Sequence, residues 1–149
     1  MLLQDKYVFS HADEVNPEWE LPTRATSLSA GFDLRAYIPD ADFVDINPGQ
    51  TVLLRTGVKV SMPPYGIGMI ASRSGLAIRE GLVVLNAPGI VDADYHHEIC
   101  VILHNTSVAV RRVMPKDRIA QILFVLNDAP WEGSVTHSRA SGFGSTGKQ

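Results

Sequence analysis

The sequence has only one cysteine, Cys100, so an internal disulfide is excluded. This cysteine stands in an apolar stretch, where we expect a buried, unreactive thiol. No apolar run approaches membrane-spanning length, and Gln4, Asp5 and Lys6 interrupt the N-terminal leucines. Neither a membrane segment nor a secretory leader is therefore expected, and the default location is the cytoplasm.

An excess of basic residues is also missing. The chain has 13 Lys and Arg against 16 Asp and Glu, a net charge of −3 and a pI near 5.9. This balance argues against a broad basic surface, so neither nucleic acid nor an anionic membrane is an expected partner. An anionic ligand would have to be held by local arginines, backbone N–H groups or a metal ion.

What is present is enough apolar sequence for an ordinary core. Of 149 residues, 45% are hydrophobic and 19% are charged, which indicates one folded domain rather than a disordered chain. The five histidines lack the spacing of a structural zinc site.

Short apolar stretches separated by turn residues predict an all-β sandwich or barrel. One segment favours a helix, from Ser74 to Glu80, with Ser72 or Ser74 as its N-terminal cap and Gly81 ending it. The predicted strands cover residues 7–9, 30–38, 51–62, 66–72, 83–85, 98–103, 108–113 and 119–126.

Residues 86–98 are the most unusual stretch, because polar groups follow a turn between two apolar segments. Pro88 and Gly89 predict a turn with a left-handed bend, so the stretch is interpreted as a β-hairpin. Its tip would carry Asp92, Asp94 and Tyr95. Such a cluster is either solvated or functional, and acidic turn residues by themselves are usually solvated.

Two further stretches could bind phosphate. Residues 73–76 open the predicted helix and combine an arginine with a hydroxyl. Residues 142–149 nearly match a P-loop, but Gln149 replaces the required Ser or Thr and no helix can follow it, so that interpretation is rejected. What remains is a glycine-rich arm that could fold over a nucleotide, with Phe143 stacked on its base.

Taken together, these stretches resemble the trimeric, all-β dUTPase family. Five motifs occur in the order of that family, and they span nearly the whole chain: residues 30–36, 73–76, 86–98, 117–121 and 139–147. Two departures stand out. His97 replaces a usual glycine, where a positive φ would be costly, and residues 140–141 are Ala-Ser in a string that is commonly richer in glycine.

The resemblance implies a distorted, jelly-roll-like β-barrel of the β-clip type, with one short helix, over residues 1–137. It also implies a flexible C-terminal arm over residues 138–149 and a homotrimer with its sites at subunit interfaces. The expected reaction is hydrolysis of dUTP to dUMP and pyrophosphate by water attack on the α-phosphorus. This reaction limits uracil in DNA and supplies dUMP for thymidylate synthesis.

The resemblance also implies the site residues. Asp92 orients and deprotonates the water, Mg²⁺ bridges the triphosphate, and Asp33 contacts that ion only through water. Backbone groups of the hairpin select uracil, and Tyr95 under the sugar excludes a ribose 2′-hydroxyl. The expected substrate-binding residues are Arg73, Ser74, Gly75, Asn86, Gly89, Ile90, Val91, Tyr95, Gln121, Arg139, Phe143, Gly144, Ser145 and Thr146.

Three alternatives stay open at this point. A dCTP deaminase shares the fold and would use a carboxylate such as Glu98 on the cytosine amino group, releasing ammonia. A nucleotide-sensing or partner-binding trimer would keep the pocket without turnover, although an intact Asp92 speaks against a dead site. A purely structural trimer would leave the phosphate-type motif of the arm unexplained.

Overall fold

Short β-strands form most of the regular structure in residues 6–127, which are the residues that the computed structural model describes. The chain forms, in order, β1 Val8–His11, β2 Phe32–Arg35, β3 Val44–Ile46, β4 Thr51–Arg55, β5 Val58–Ser61, β6 Gly66–Ala71, α1 Ser74–Glu80, β7 Leu82–Val84, β8 Gly89–Val91, β9 Cys100–Asn105, β10 Arg111–Val113 and β11 Arg118–Leu126. No helix within the described range is long and apolar enough to cross a membrane.

The strands pair antiparallel in four small sheets. A four-stranded sheet has the order β2-β11-β6-β8, and a three-stranded sheet has the order β4-β9-β7. The other two sheets of the described residues have two strands each, β1-β5 and β10-β3. This arrangement confirms the all-β, jelly-roll-like class with one short helix.

The core consists of branched residues from alternate positions of the strands. In β9, for example, Val101, Leu103 and Asn105 are buried while their neighbours are half-buried, as expected for side chains that alternate between two faces. Asn105 is fully buried but satisfied, because its amide nitrogen donates to the carbonyl oxygens of Ile46 and Ala109 at 2.8 Å.

The prediction of a single strand over residues 51–62 is wrong. The strand ends at Arg55 and resumes at Val58, and Gly57 between them has a φ of +75°. That conformation is readily available only to glycine, so the chain turns here and the two halves join different sheets. Residues 44–46 form a strand that the pattern did not predict.

The predicted helix is confirmed over Ser74–Glu80, but its predicted cap is not. Arg73 occupies the N-cap position without a side-chain cap hydrogen bond, whereas the Ser72 hydroxyl accepts from the backbone N–H of Val84. At the other end, Gly81 has a φ of +67° and ends the helix as predicted.

The predicted hairpin over residues 86–98 is only partly correct. Its flanking strands β7 and β9 do pair, with Val84 opposite Leu103. The connection is not a simple tip, however, because Gly89–Val91 forms β8, which leaves this sheet and pairs with β6. The segment therefore links two sheets, and a cavity lies beside it.

Candidate active site

One cavity collects most of the residues expected from the 86–98 motif. It has a volume of about 150 Å³ and is lined by Ile70, Val84, Asn86, Gly89, Ile90, Val91, Asp92, Tyr95, Ile99, Cys100, Val101 and Ile102. We call it the base cavity. Most of its lining residues are apolar, and Asn86, Asp92 and Tyr95 add polar side chains, a combination that is usual for a small-molecule site.

The strand β8 supplies the polar backbone of this cavity. It is the last strand of its sheet within the described residues, since it pairs with β6 on one side only. A strand at the edge of a sheet presents N–H and C=O groups in a row on its unpaired side. A flat heterocycle with alternating donors and acceptors can therefore hydrogen-bond along this edge.

Gly89 has no left-handed φ, which corrects the expected bend, and a close contact favours glycine here instead. Glycines with positive φ in residues 6–127 are Gly49, Gly57 and Gly81, and the Ala87-Pro88 peptide is cis. A Cβ at position 89 would lie 3.1 Å from Nδ2 of Asn86. The missing side chain thus lets the Asn86 amide pack against β8 at the cavity.

Asp92 and Tyr95 follow β8 directly and are connected through the backbone. The Tyr95 N–H donates to the carbonyl oxygen of Asp92 at 3.0 Å, and the Tyr95 hydroxyl donates to the carbonyl oxygen of Glu98 at 2.9 Å. Asp92 also borders a wider, open cavity of about 560 Å³, next to Tyr65 and Asp94. It is therefore a lining residue of both cavities.

His97 adopts an ordinary backbone conformation. The described non-glycine residues with positive φ are Glu14 and Lys116, so the substitution of the usual glycine imposes no left-handed strain. Its ring lies edge-on to Tyr95, with 5.6 Å between centroids. The histidine therefore adds a contact behind Tyr95 and does not distort the segment.

A second cavity collects the residues expected to bind phosphate. It has a volume of about 200 Å³ and is lined by Ala25, Ser29, Gly31, Asp33, Arg73, Ser74, Gly75 and Gln121. We call it the phosphate cavity. It lies where the end of β6 leads into α1 and where β2 and β11 pair, with Gln121 opposite Asp33.

Asp33 orients the arginines of this cavity. Its Oδ1 accepts from Nε of Arg73 at 3.0 Å and its Oδ2 from a guanidinium nitrogen of Arg118 at 3.2 Å. The Asp33 side chain is only 15% exposed, so these charge-assisted bonds form in a partly dry setting. Arg73 is thereby held in the wall of the same cavity, where its guanidinium also donates to the carbonyl oxygen of Arg118 at 3.1 Å.

Gln121 is fixed from two sides. Its side-chain nitrogen donates to the carbonyl oxygen of Ser72 at 3.0 Å. Gly31 lies against it so closely that a Cβ there would be 2.6 Å from Oε1 of Gln121. A side chain at Gly31, the second residue of the first motif, would therefore displace the Gln121 amide in the phosphate cavity.

Residues 6–127 by themselves do not join the two cavities into one site, because none of these residues lines both of them. The remaining predicted residues, Arg139, Phe143, Gly144, Ser145 and Thr146, lie outside the described residues.

The described residues do not form a metal-binding centre from their own side chains. No group of three or more His, Cys, Asp or Glu side chains within residues 6–127 could hold a metal ion. Both oxygens of Asp33 accept from arginines, but the carboxylate still borders the phosphate cavity. This donor set does not fit an ion ligated by the protein, and it fits a hydrated ion that a bound phosphate carries.

Sequence reasoning missed the hydrophobic wall of the base cavity and the partner of Glu98. Ile70, Val84 and Cys100 line the cavity although they belong to plain apolar strands, so no local signal separates them from core residues. The pairing of Glu98 with Arg55, 43 positions earlier, depends on the turn at Gly57, which the pattern did not reveal.

The sequence of the chain matches a known protein family and curated relatives. Residues 17–147 match the dUTPase family. A deoxyuridine 5′-triphosphate nucleotidohydrolase of Chlamydia caviae is 40% identical over 139 residues, which cover 87% of this chain and 92% of that protein.

Solved structures agree with the sequence comparison. The crystal structure of a dUTPase from Streptococcus mutans matches with a TM-score of 0.75 at 27% identity, over 84% of this chain and 98% of that one. A mutant dUTPase from phage phi11 of S. aureus, described with a structural Mg(II) ion, matches with a TM-score of 0.71 at 22% identity, over 91% of this chain and 100% of that one. At that identity, the phage protein supports the fold alone.

Proposed function

The chain belongs to the dUTPase family and hydrolyses dUTP to dUMP and pyrophosphate, and from this premise we propose the role of each site residue in the reaction. A water oxygen attacks the α-phosphorus, the bond from that phosphorus to the oxygen bridging to the β-phosphorus breaks, and pyrophosphate leaves. The reaction limits uracil in DNA and supplies dUMP for thymidylate synthesis. The observation that carries the assignment of roles is that Asp92, Tyr95 and the edge of β8 line one cavity.

Uracil binds along the unpaired edge of β8. Its pairing edge presents acceptor, donor and acceptor, and backbone groups of Gly89–Val91 together with the Asn86 amide provide the complement. Cytosine would leave buried polar groups without partners, which a polar site discriminates against strongly. The tight backbone of this segment would also leave no room for the methyl group of thymine.

Tyr95 forms the wall against the sugar. Its hydroxyl is bonded to the backbone of Glu98, so the ring is held in one orientation while its face borders the base cavity. A ring in this position excludes a 2′-hydroxyl by its bulk, which favours deoxyribose over ribose.

Asp92 is the general base. A carboxylate is a weak base, so its contribution depends on holding the water in line with the α-phosphorus and accepting its proton as the bond forms. The position of Asp92 in the lining of both the base cavity and the wider, open cavity supports this role.

The phosphates are bound by Arg73, Ser74, Gly75 and Gln121, with Arg139, Phe143, Gly144, Ser145 and Thr146 of the arm closing over them. The donors of the phosphate cavity stabilise negative charge that develops on the phosphoryl oxygens. Since no described residue lines both the base cavity and the phosphate cavity, we propose that a neighbouring copy completes each site in a homotrimer. The division into a barrel over 1–137 and an arm over 138–149 belongs to the same proposal.

When bound with the triphosphate, Mg²⁺ would supply charge neutralisation. Asp33 would hold it only through water, because both of its oxygens accept from Arg73 and Arg118. The cytoplasmic location expected from the sequence stays a prediction.

The deaminase alternative is weakened by the position of Glu98. Its carboxylate accepts from the backbone N–H of Gly57 at 2.7 Å and from Nε of Arg55 at 2.9 Å, and it does not line the base cavity. A carboxylate held in this way is not directed at a bound base.

Pyrophosphate release from dUTP, dTTP, dCTP and UTP with Mg²⁺ tests the proposal. We expect release from dUTP alone, and a loss of kcat on the order of 10²- to 10⁴-fold in Asp92→Asn. A nonhydrolysable dUTP analogue should still bind this variant, because the amide keeps the size of the carboxylate. Ammonia from dCTP would favour the deaminase instead, and equal turnover of all four nucleotides would refute base selection by β8.

A further inference from the structure

The turn between β4 and β5 holds the segment that closes the base cavity. The N–H of Ile99 donates to the carbonyl oxygen of Val58 at 2.8 Å, and the Thr56 hydroxyl donates to the carbonyl oxygen of Ile99 at 2.6 Å. The Glu98 carboxylate adds a third bond by accepting from the N–H of Gly57 at 2.7 Å. Two consecutive residues are thus attached to one turn through both backbone and side chain.

Arg55 strengthens this attachment. Its Nε donates to Oε2 of Glu98 at 2.9 Å and to Oε1 at 3.2 Å, while its guanidinium lies over the Tyr37 ring at 5.1 Å. The Glu98 side chain is only 17% exposed, whereas that of Arg55 is 44% exposed, so only the carboxylate end of the ion pair is shielded from water. The attachment therefore depends on the ion pair together with the hydrogen bond from the Gly57 N–H to the same carboxylate.

The backbone carbonyl group of Glu98 also holds Tyr95, which lines the base cavity. The carbonyl oxygen of Glu98 is the acceptor of the Tyr95 hydroxyl at 2.9 Å, and the N–H of Tyr95 donates to the carbonyl oxygen of Asp92 at 3.0 Å. A continuous series of hydrogen bonds therefore runs from the β4–β5 turn through Glu98 and Tyr95 to Asp92.

We propose that Glu98 is a positioning residue for sugar selection, which rests on the role proposed above for Tyr95. The carboxylate fixes its own peptide group against the turn, and that peptide fixes the hydroxyl end of the Tyr95 ring. When the carboxylate no longer holds Arg55, the peptide can shift and the ring follows. The Tyr95 ring then moves away from the sugar, which leaves space for a ribose 2′-hydroxyl.

The test is the ratio of kcat/KM for dUTP to kcat/KM for UTP, measured by pyrophosphate release on the full chain. Glu98→Gln keeps the size and an acceptor for the Gly57 N–H but loses the charge that holds Arg55. We expect the ratio to fall about tenfold or more, through a higher KM for dUTP and a gain in UTP turnover, with kcat for dUTP changed less than about threefold.

A matched control and a double variant separate positioning from general damage. The matched control is Asp45→Asn. Asp45 on β3 accepts hydrogen bonds from Arg112 on β10 at 2.7 and 2.8 Å, and breaking this other arginine–carboxylate pair should leave the ratio of kcat/KM values unchanged. Tyr95→Phe removes only the hydroxyl that bonds Glu98 and should lower the ratio as Glu98→Gln does. Combining the two changes should add little, because both break the same connection.

An unchanged ratio in folded Glu98→Gln overturns the proposal, as does an equal loss of activity on both nucleotides. If Glu98→Gln does not fold, Arg55→Lys decides, since it keeps the charge but loses the Nε donor: a lower ratio supports the proposal and a wild-type ratio overturns it. Failure of the wild-type chain to hydrolyse dUTP would instead refute the proposed function itself.

Discussion

At the scale of single residues, Cys100 combines a position on the wall of the base cavity with a suppressed acidity. Burial, helped by the nearby Glu98 carboxylate, raises the pKa of its thiol from 9.0 to about 11. Because the thiolate is the reactive form, we expect alkylation by iodoacetamide at pH 8 to be on the order of a hundredfold slower than that of glutathione. Mass spectrometry of the intact chain measures this rate directly, since no second cysteine interferes.

The urea-unfolded chain is the internal control, and its thiol should react at the ordinary rate. Equal rates for folded and unfolded chains would contradict the burial of Cys100. The raised pKa also fixes the direction of a pH effect. Between about pH 9 and 11 the Cys100 thiol keeps its proton in the folded state but loses it in the unfolded state. The contribution of this group to the free energy of unfolding therefore declines as the pH rises through that window.

The sequence is a good guide to residues that carry chemistry and a poor one to residues that support them. Asp92 and Tyr95 are recognisable because the spacing of residues 86–95 resembles the third dUTPase motif, whereas acidic turn residues by themselves are usually solvated. Cys100 and Glu98 act through contacts between distant segments, and those contacts depend on a turn at Gly57 that leaves no periodic signal.

At the scale of elements, two glycines at strand ends provide a matched pair. Gly49 and Gly57 have φ values of +73° and +75°, but a Cβ at position 49 would meet nothing within 4 Å, whereas one at position 57 would lie 2.9 Å from Nε1 of Trp19. We expect Gly49→Ala to lower the free energy of unfolding by about 1 kcal/mol, the cost of a left-handed φ alone. Gly57→Ala should cost roughly 2–4 kcal/mol, because overpacking adds to that cost.

Urea denaturation of both variants at one protein concentration measures the difference, since stability of an oligomer depends on concentration. Equal losses would show that Trp19 moves aside without cost. A larger loss in Gly49→Ala would contradict the assignment of strain to the β4–β5 turn.

Elements with several supporting signals were predictable, and two of the three-residue strands were not. Helix α1 has apolar residues inside and a glycine at its end, so its bounds agree with the structure. Strands β3 and β8 have three residues each, which is too short for alternation to be recognised. Their pairing with β10 and β6 is a tertiary choice, so the 86–98 segment was interpreted as a simple hairpin.

At the scale of the whole molecule, the division of site residues between two cavities has a consequence for assembly. Asp92 lines the base cavity and Arg73 lines the phosphate cavity, and these cavities share no residue. If one copy contributes the first and its neighbour the second, two inactive variants should restore activity in a mixed trimer. A site contained in one chain could not be restored in this way.

The experiment is co-expression of Asp92→Asn and Arg73→Ala with different affinity tags, followed by purification on both tags. In a cyclic trimer that contains both variants, one of the three junctions joins an intact Asp92 to an intact Arg73. We therefore expect about one third of the wild-type rate of pyrophosphate release from dUTP. Each variant purified alone, and the two mixed after purification without subunit exchange, should stay near background. Background activity in the doubly purified trimer would mean that each chain builds its site from its own Asp92 and Arg73.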